Sequence, residues 1–78
     1  MTEDTKSISL ILDLLNATRV PRTLAWIETE MKLAGRRCET PTILEDMTDK
    51  ELLHSRKDGL GIRRWSITSK GREALADL

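Results

Sequence analysis

The chain has 78 residues, with 13 basic and 13 acidic side chains, one cysteine, and neither phenylalanine nor tyrosine. This length predicts one domain with a small core, in which Trp26 and Trp65 are expected to be structural residues. The lone Cys38 excludes an intrachain disulfide, and no apolar run approaches the length of a membrane span, so we expect a cytoplasmic protein. The balanced charge gives no overall attraction to nucleic acid, but it is segregated: residues 19–37 and 56–78 each carry a net +3, whereas residues 38–55 carry −4.

The N-terminal part predicts one amphipathic helix that begins near Thr5 or Ser7, after a disordered N-terminus at residues 1–6. Apolar residues recur at helical spacing on its first stripe, which contains Ile8, Ile11, Leu12 and Leu15. A second stripe, formed by Leu10, Leu14 and Ala17, widens the apolar surface. Two interpretations follow: a central helix contacted on several sides, or a seam that pairs with a second copy in a homodimer.

Two more helices are predicted after Val20-Pro21, because proline ends the first helix. The second runs from about Arg22 to Ala34, and Gly35 suits the left-handed position that ends helices. The third lies within Pro41 to Lys50. Its start is either Thr40 as N-cap or a capping box formed by Thr42 and Glu45.

A β-hairpin is predicted around Asp58-Gly59, because both central residues of the favoured tight turn need φ > 0 and this dipeptide adopts such values readily. On the second strand Trp65 and Ile67 share one face, while Arg64 and Ser66 point the other way. One face of this two-stranded ribbon is therefore apolar and the other basic. A short C-terminal helix closes the chain.

Two stretches of the sequence carry a resemblance to a known family: residues 44–59, and residues 62–75 with the pattern Thr-x-Lys-Gly-Arg. They resemble parts of bacterial winged-helix regulators of the MarR, PadR and ArsR type. Residues 44–53 followed by 54–59 resemble the end of the recognition helix and the first strand of the wing, and residues 62–75 resemble the second wing strand running into the next helix. The resemblance implies a mostly helical α+β fold over residues 1–78, a winged helix-turn-helix with three helices, a two-stranded wing and a C-terminal helix.

The sequence departs from those regulators at two positions. Pro41 falls inside what would be the recognition helix. Glu51 stands where the families usually place glycine, so either the helix end is built differently or Glu51 adopts a left-handed conformation.

The resemblance implies that the protein binds double-stranded DNA as a bacterial or phage transcriptional regulator. The third helix, near residues 41–50, would enter the major groove, and the basic wing at residues 56–64 would lie on the phosphates. The predicted contacts are Arg36, Arg37, Thr40, Thr42, Arg56, Lys57, Arg63 and Arg64. An alternative is a protein–protein adaptor whose acidic third-helix residues, Glu45, Asp46 and Asp49, face a basic partner.

Catalysis is not expected. His54 is the only histidine and lies far in sequence from Cys38, so neither a metal ligand set nor a nucleophile pair is apparent. Gly59-Leu60-Gly61 lacks the third glycine and the following helix of a phosphate-binding loop, and is predicted to be a turn. We therefore expect no enzyme activity, no cofactor, no bound metal and no membrane association.

Overall fold

The structure, a computed structural model, describes residues 3–36 and 39–77, apart from the side chains of residues 3 and 4. It is a mostly helical α+β fold, which confirms the predicted class at that level. Along the chain the elements are α1 (Glu3–Thr18), β1 (Arg22–Thr23), α2 (Leu24–Leu33), α3 (Thr40–Asp49), β2 (Leu53–Lys57), β3 (Arg63–Ile67) and α4 (Ser69–Ala76). Within these ranges no helix has the length and apolar character needed to cross a bilayer.

The sheet has three antiparallel strands in the order β1-β3-β2, so the prediction of a two-stranded ribbon is incomplete. The added strand, β1, pairs Arg22 with Trp65 and Thr23 with Arg64. It has only two residues, which is too short to show an alternating pattern, and the sequence analysis placed both in the second helix. Because β3 is now the central strand, Trp65 lies in the middle of the sheet and is buried, with 4% of its surface exposed.

The β2–β3 connection is longer than predicted. Neither Asp58 nor Gly59 has a positive φ, and Gly61 adopts one instead, at 79°. The Asp58 carboxylate shapes this loop, because its Oδ1 accepts hydrogen bonds from the backbone N–H groups of Leu60 (2.8 Å) and Ile62 (3.0 Å). The hairpin prediction is therefore right about the strands and wrong about the tight turn.

Three helix starts differ from the predictions. Helix α1 begins at Glu3, so it includes residues 3–6 of the segment predicted to be disordered. The N-cap of α2 is Thr23, whose Oγ1 accepts from Trp26 N. Helix α3 begins at Thr40 after Glu39, which makes no side-chain capping bond, so neither predicted cap of this helix forms.

Two left-handed residues end helices at the expected places. Gly35 follows α2 with φ 75°, as predicted. Glu51 follows α3 with φ 63°, so the left-handed alternative for Glu51 is the correct one.

The core is formed by residues of α1, α2, α3, β2 and β3: Ile11, Leu12, Leu15, Ile27, Met31, Ile43, Leu44, Met47, Leu53 and Trp65. Helix α1 contacts α2, α3, β3 and α4, which agrees with the central-helix interpretation. Of the predicted dimer seam, Leu10 and Leu14 are half-buried and pack against the core, while Ala17 is exposed. Pairing with a second copy stays a prediction.

Candidate nucleic-acid interface

The outward face of α3 is polar at its start and acidic further on. Its exposed residues are Pro41 and Thr42 in the first turn and Glu45, Asp46 and Asp49 in the later turns. Thr40 differs from these residues, because it is buried with 4% of its surface exposed. Such burial leaves little of Thr40 accessible to a phosphate or a base edge, and its contact with DNA stays a prediction.

Arg63 connects the β2–β3 hairpin to α3. Its guanidinium forms an ion pair with the carboxylate of Glu45 and donates a hydrogen bond to Ser55 Oγ at 3.0 Å. It also lies over the ring of Trp65, 4.8 Å from the ring centroid. These contacts hold the hairpin against α3 and neutralise one acid on its face, and the phosphate contact of Arg63 stays a prediction.

Arg64 is used within the hairpin itself. Its Nε donates to Asp58 Oδ2 at 3.2 Å, on the carboxylate that shapes the β2–β3 loop. The backbone N–H groups of Ile62 and Leu60, and then Arg64, hold the pKa of the Asp58 carboxyl below its ordinary value of 3.8. Arg64 therefore stabilises the loop through its Nε, and its contact with DNA phosphates stays a prediction.

Arg56 and Lys57 on β2 are the hairpin cations that keep their charge available to solvent. Both side chains are exposed, and neither side chain forms a hydrogen bond or ion pair within the part of the chain that the structure describes. They lie directly opposite Arg64 and Arg63 in the strand register. Like charges that face each other across strands are destabilising. The acids that neutralise Arg63 and Arg64 therefore also reduce their repulsion of Arg56 and Lys57.

The remaining predicted contacts fall into two groups. Thr42 is exposed and accessible. Arg36 is half-buried and already has an interaction partner, and its backbone N–H donates to Met31 O at 2.9 Å. Arg37 lies outside the described residues. The exposed predicted contacts with no partner are therefore Thr42, Arg56 and Lys57.

The acids of α3 are mostly neutralised from within the domain. Glu45 is paired with Arg63, and Asp46 with Lys50 at 3.0 Å, which leaves Asp49 without a cation among the described residues. Among the described residues, the surface formed by α3, its N-cap and the hairpin therefore combines two cations without partners, Arg56 and Lys57, with two such acids, Glu39 and Asp49. In the described ranges no group of three or more metal-ligating side chains gathers to form a metal site.

The sequence analysis missed Ser55 and the two ion pairs that decide which cations are free. The Asp58–Arg64 pair has a local signal, because an aspartate opening a glycine-containing loop is typical of a side-chain-stabilised turn. The Arg63–Glu45 pair joins residues 18 positions apart on different elements, and no sequence pattern indicates it.

The comparisons with known proteins identify no relative of this chain. No protein-family model, curated protein or solved structure matches this chain. The surface formed by α3 and the hairpin is therefore the basis for any function assigned to this domain.

Proposed function

We propose that this domain is a winged helix-turn-helix DNA-binding regulator in which the start of α3 enters the major groove and the β2–β3 hairpin is the wing on the phosphate backbone. The element order supports this proposal, because two helices, a hairpin and a closing helix follow the first helix as the resemblance implies, with β1 added. A fold does not dictate a function, so the proposal depends on the charges of the surface.

The observation that carries the proposal is the charge state of the hairpin and of α3. Arg56 and Lys57 present unpaired cations on β2, while Glu45 and Asp46 are neutralised by neighbouring cations. An unpaired carboxylate would repel phosphates, whereas a paired one repels them far less. The first turn of α3 contains no acid and exposes Thr42, which has the size and hydroxyl group to contact a phosphate or a base edge.

The test is a binding titration of the full chain against a random duplex of about 30 base pairs, measured by fluorescence anisotropy at several salt concentrations. Each phosphate neutralised contributes about −0.9 to the slope of log K against log salt, so Arg56 and Lys57 together contribute about −1.8 per copy. The variant Arg56→Ala/Lys57→Ala should therefore bind more weakly, and its slope of log K against log salt should be shallower by about 1.8 per bound copy.

A matched control removes two exposed cations elsewhere, Lys6 on α1 and Lys32 on α2, which have no partner among the described residues. The Lys6→Ala/Lys32→Ala variant should keep most of the affinity. Equal losses in the two double variants would mean that only total charge matters, and the proposed surface would be wrong. Absence of duplex binding at low salt would refute the DNA-binding proposal as a whole.

The small number of free cations supports a homodimer. Each phosphate contact adds to the affinity at low salt, and among the described hairpin residues one copy supplies only two cations without partners. Two copies on the half-sites of a palindrome would double the number of contacts. Sedimentation of the chain alone and with duplex tests this step, and one copy per duplex at saturation would contradict it.

The adaptor function is the second candidate, because Glu45, Asp46 and Asp49 are all exposed on one face of α3. One substitution separates the two functions. Glu45→Gln removes an acid and releases Arg63, so a DNA-binding domain should bind duplex more tightly. A domain that uses this face for a basic protein should instead lose affinity for a lysine-rich peptide.

A further inference from the structure

An open cleft of about 370 Å³ lies where the end of α1 meets β3 and α4. Two arginines line it, Arg19 just after α1 and Arg72 on α4. Asn16 and Ser66 add a side-chain amide and a hydroxyl to the same cleft. This volume is within the range of sites that hold small molecules, and the polar groups that line it include several hydrogen-bond donors.

The cleft is positively charged and contains no acid among its lining residues. Arg19 and Arg72 are both exposed, and neither forms an ion pair or side-chain hydrogen bond in residues 3–36 and 39–77. Four other cations, Lys50, Arg63, Arg64 and Lys70, each lie within reach of a carboxylate. Two arginines that line one cleft without an ion pair favour an anion, and the forked N–H groups of a guanidinium suit a carboxylate or a phosphate.

The rest of the lining is aliphatic. Leu15, Val20 and Ile67 form this part of the cleft, and Val20 leaves 48% of its surface exposed. An inorganic anion would contact the arginines and leave this apolar surface in water, whereas an anion with an aliphatic body would cover both.

We propose that this cleft binds a small organic carboxylate with a branched aliphatic body, whose charged end lies between Arg19 and Arg72 and whose body covers Val20 and Ile67. Such a ligand would join α1 to β3 and α4, both of which α1 already contacts. It would thereby stabilise the folded domain. The proposal does not depend on DNA binding, and it is tested without DNA.

The experiment measures the melting temperature and the ¹⁵N–¹H spectrum of the full chain with four probes at matched ionic strength. The probes are 4-methylpentanoate, its uncharged amide, acetate and inorganic phosphate. The first should raise the melting temperature in a saturable way and shift the amide signals of Asn16, Ser66 and Ile67. The amide should have no effect, and acetate and phosphate should act more weakly.

Charge variants identify the site. Arg19→Gln and Arg72→Gln should each weaken binding of 4-methylpentanoate about tenfold or more, because a charge-assisted hydrogen bond is lost. Lys32→Gln, which removes an exposed cation outside the cleft, should leave binding unchanged. Phosphate or acetate binding as tightly as 4-methylpentanoate would overturn the proposed ligand class. Binding that survives in both cleft variants, or no binding at all, would overturn the site.

Discussion

Gly71 provides the sharpest test of the fold, since it belongs to the Lys-Gly-Arg stretch that carries part of the resemblance. It is the buried residue of α4. A Cβ atom at this position would meet the carbonyl oxygen of Leu52 well inside 3.0 Å, a separation that real Cβ atoms essentially never show, and would lie 2.8 Å from Cγ1 of Ile67. We predict that Gly71→Ala destabilises the domain, although alanine is the better helix former.

The magnitude follows from two opposing effects. Helix propensity favours alanine over glycine by about 1 kcal/mol. Overpacking a buried site costs about 1 to 3 kcal/mol, and this site belongs at the upper end. The Leu52 oxygen cannot easily move, because it accepts from the backbone N–H of Thr68 at 3.2 Å and from its hydroxyl at 3.0 Å. The expected net loss is about 2 kcal/mol, from a total stability of about 4 to 12 kcal/mol for a domain of this size.

Thermal and urea unfolding followed by circular dichroism measure this loss. At about 4 to 8 °C per kcal/mol, the melting temperature of Gly71→Ala should fall by about 8 to 16 °C. Gly59→Ala is the matched control, because nothing lies within 4 Å of a Cβ at Gly59 and its φ is not positive. It should be neutral or slightly stabilising. If Gly71→Ala were as stable as the native chain, the packing of α4 against Leu52 described here would be wrong.

Three further changes probe the start of α4, the end of α3 and the β2–β3 loop. Thr68→Ala should destabilise the domain by about 1 kcal/mol, because Thr68 Oγ1 accepts from Gly71 N at 2.9 Å and caps α4. The control Thr68→Ser keeps the hydroxyl and should retain most of that stability in the same unfolding assay. Glu51→Gly should raise the urea midpoint by relieving a left-handed residue, worth about 0.5 to 1 kcal/mol after the entropy of glycine is subtracted. Since the pKa of Asp58 is lowered in the folded state, its stabilising contribution is present above pH 3.8 and is lost as the pH falls below it, so melting curves of Asp58→Asn should depend less on pH in that window.

Specific results would contradict each of these. Equal losses for Thr68→Ser and Thr68→Ala would show that the hydroxyl is not what matters. A lower urea midpoint for Glu51→Gly would mean that the exposed ion pair of Glu51 with Lys70, 3.8 Å apart, outweighs the backbone strain. Identical pH profiles for Asp58→Asn and the native chain below pH 4 would show that the carboxylate does not hold the loop.

Much of the fold follows from short-range patterns in the sequence. The core residues of α1, α2 and α3 recur at helical spacing, and Trp65 alternates with its neighbours on β3, so each could be assigned from periodicity. Strand β1 could not, because two residues carry no period and their pairing with β3 is a long-range contact. The tight turn was predicted wrongly because the Asp58 side chain bonds two amides further along the chain and so stabilises a longer loop.

The candidate interface was less predictable than the fold, because the availability of a cation depends on its partners. Arg56 and Arg64 are chemically identical and face each other across the hairpin, yet Arg64 is paired with Asp58 while Arg56 is free. Thr40 and Thr42 differ in the same way, since their separation of two positions places one inside the domain and the other outside. The sequence indicates which residues of the β2–β3 hairpin are basic, but it does not indicate which of them form ion pairs inside the domain and which stay exposed without a partner.

The division between structural and exposed residues also separates the residues that carry the resemblance from those that carry the proposed function. Trp65, Thr68 and Gly71 carry much of the resemblance, and in the structure they are a core residue, a helix cap and a packing contact. A chain can keep such residues for stability alone, so they support the fold and say little about DNA. The side chains of Arg56 and Lys57 do the opposite, because they make no hydrogen bond or ion pair within the described fold, although their backbone pairs with β3. Replacing them should therefore leave stability nearly unchanged while it abolishes most of the DNA affinity, and this combination is what a surface maintained for a partner predicts.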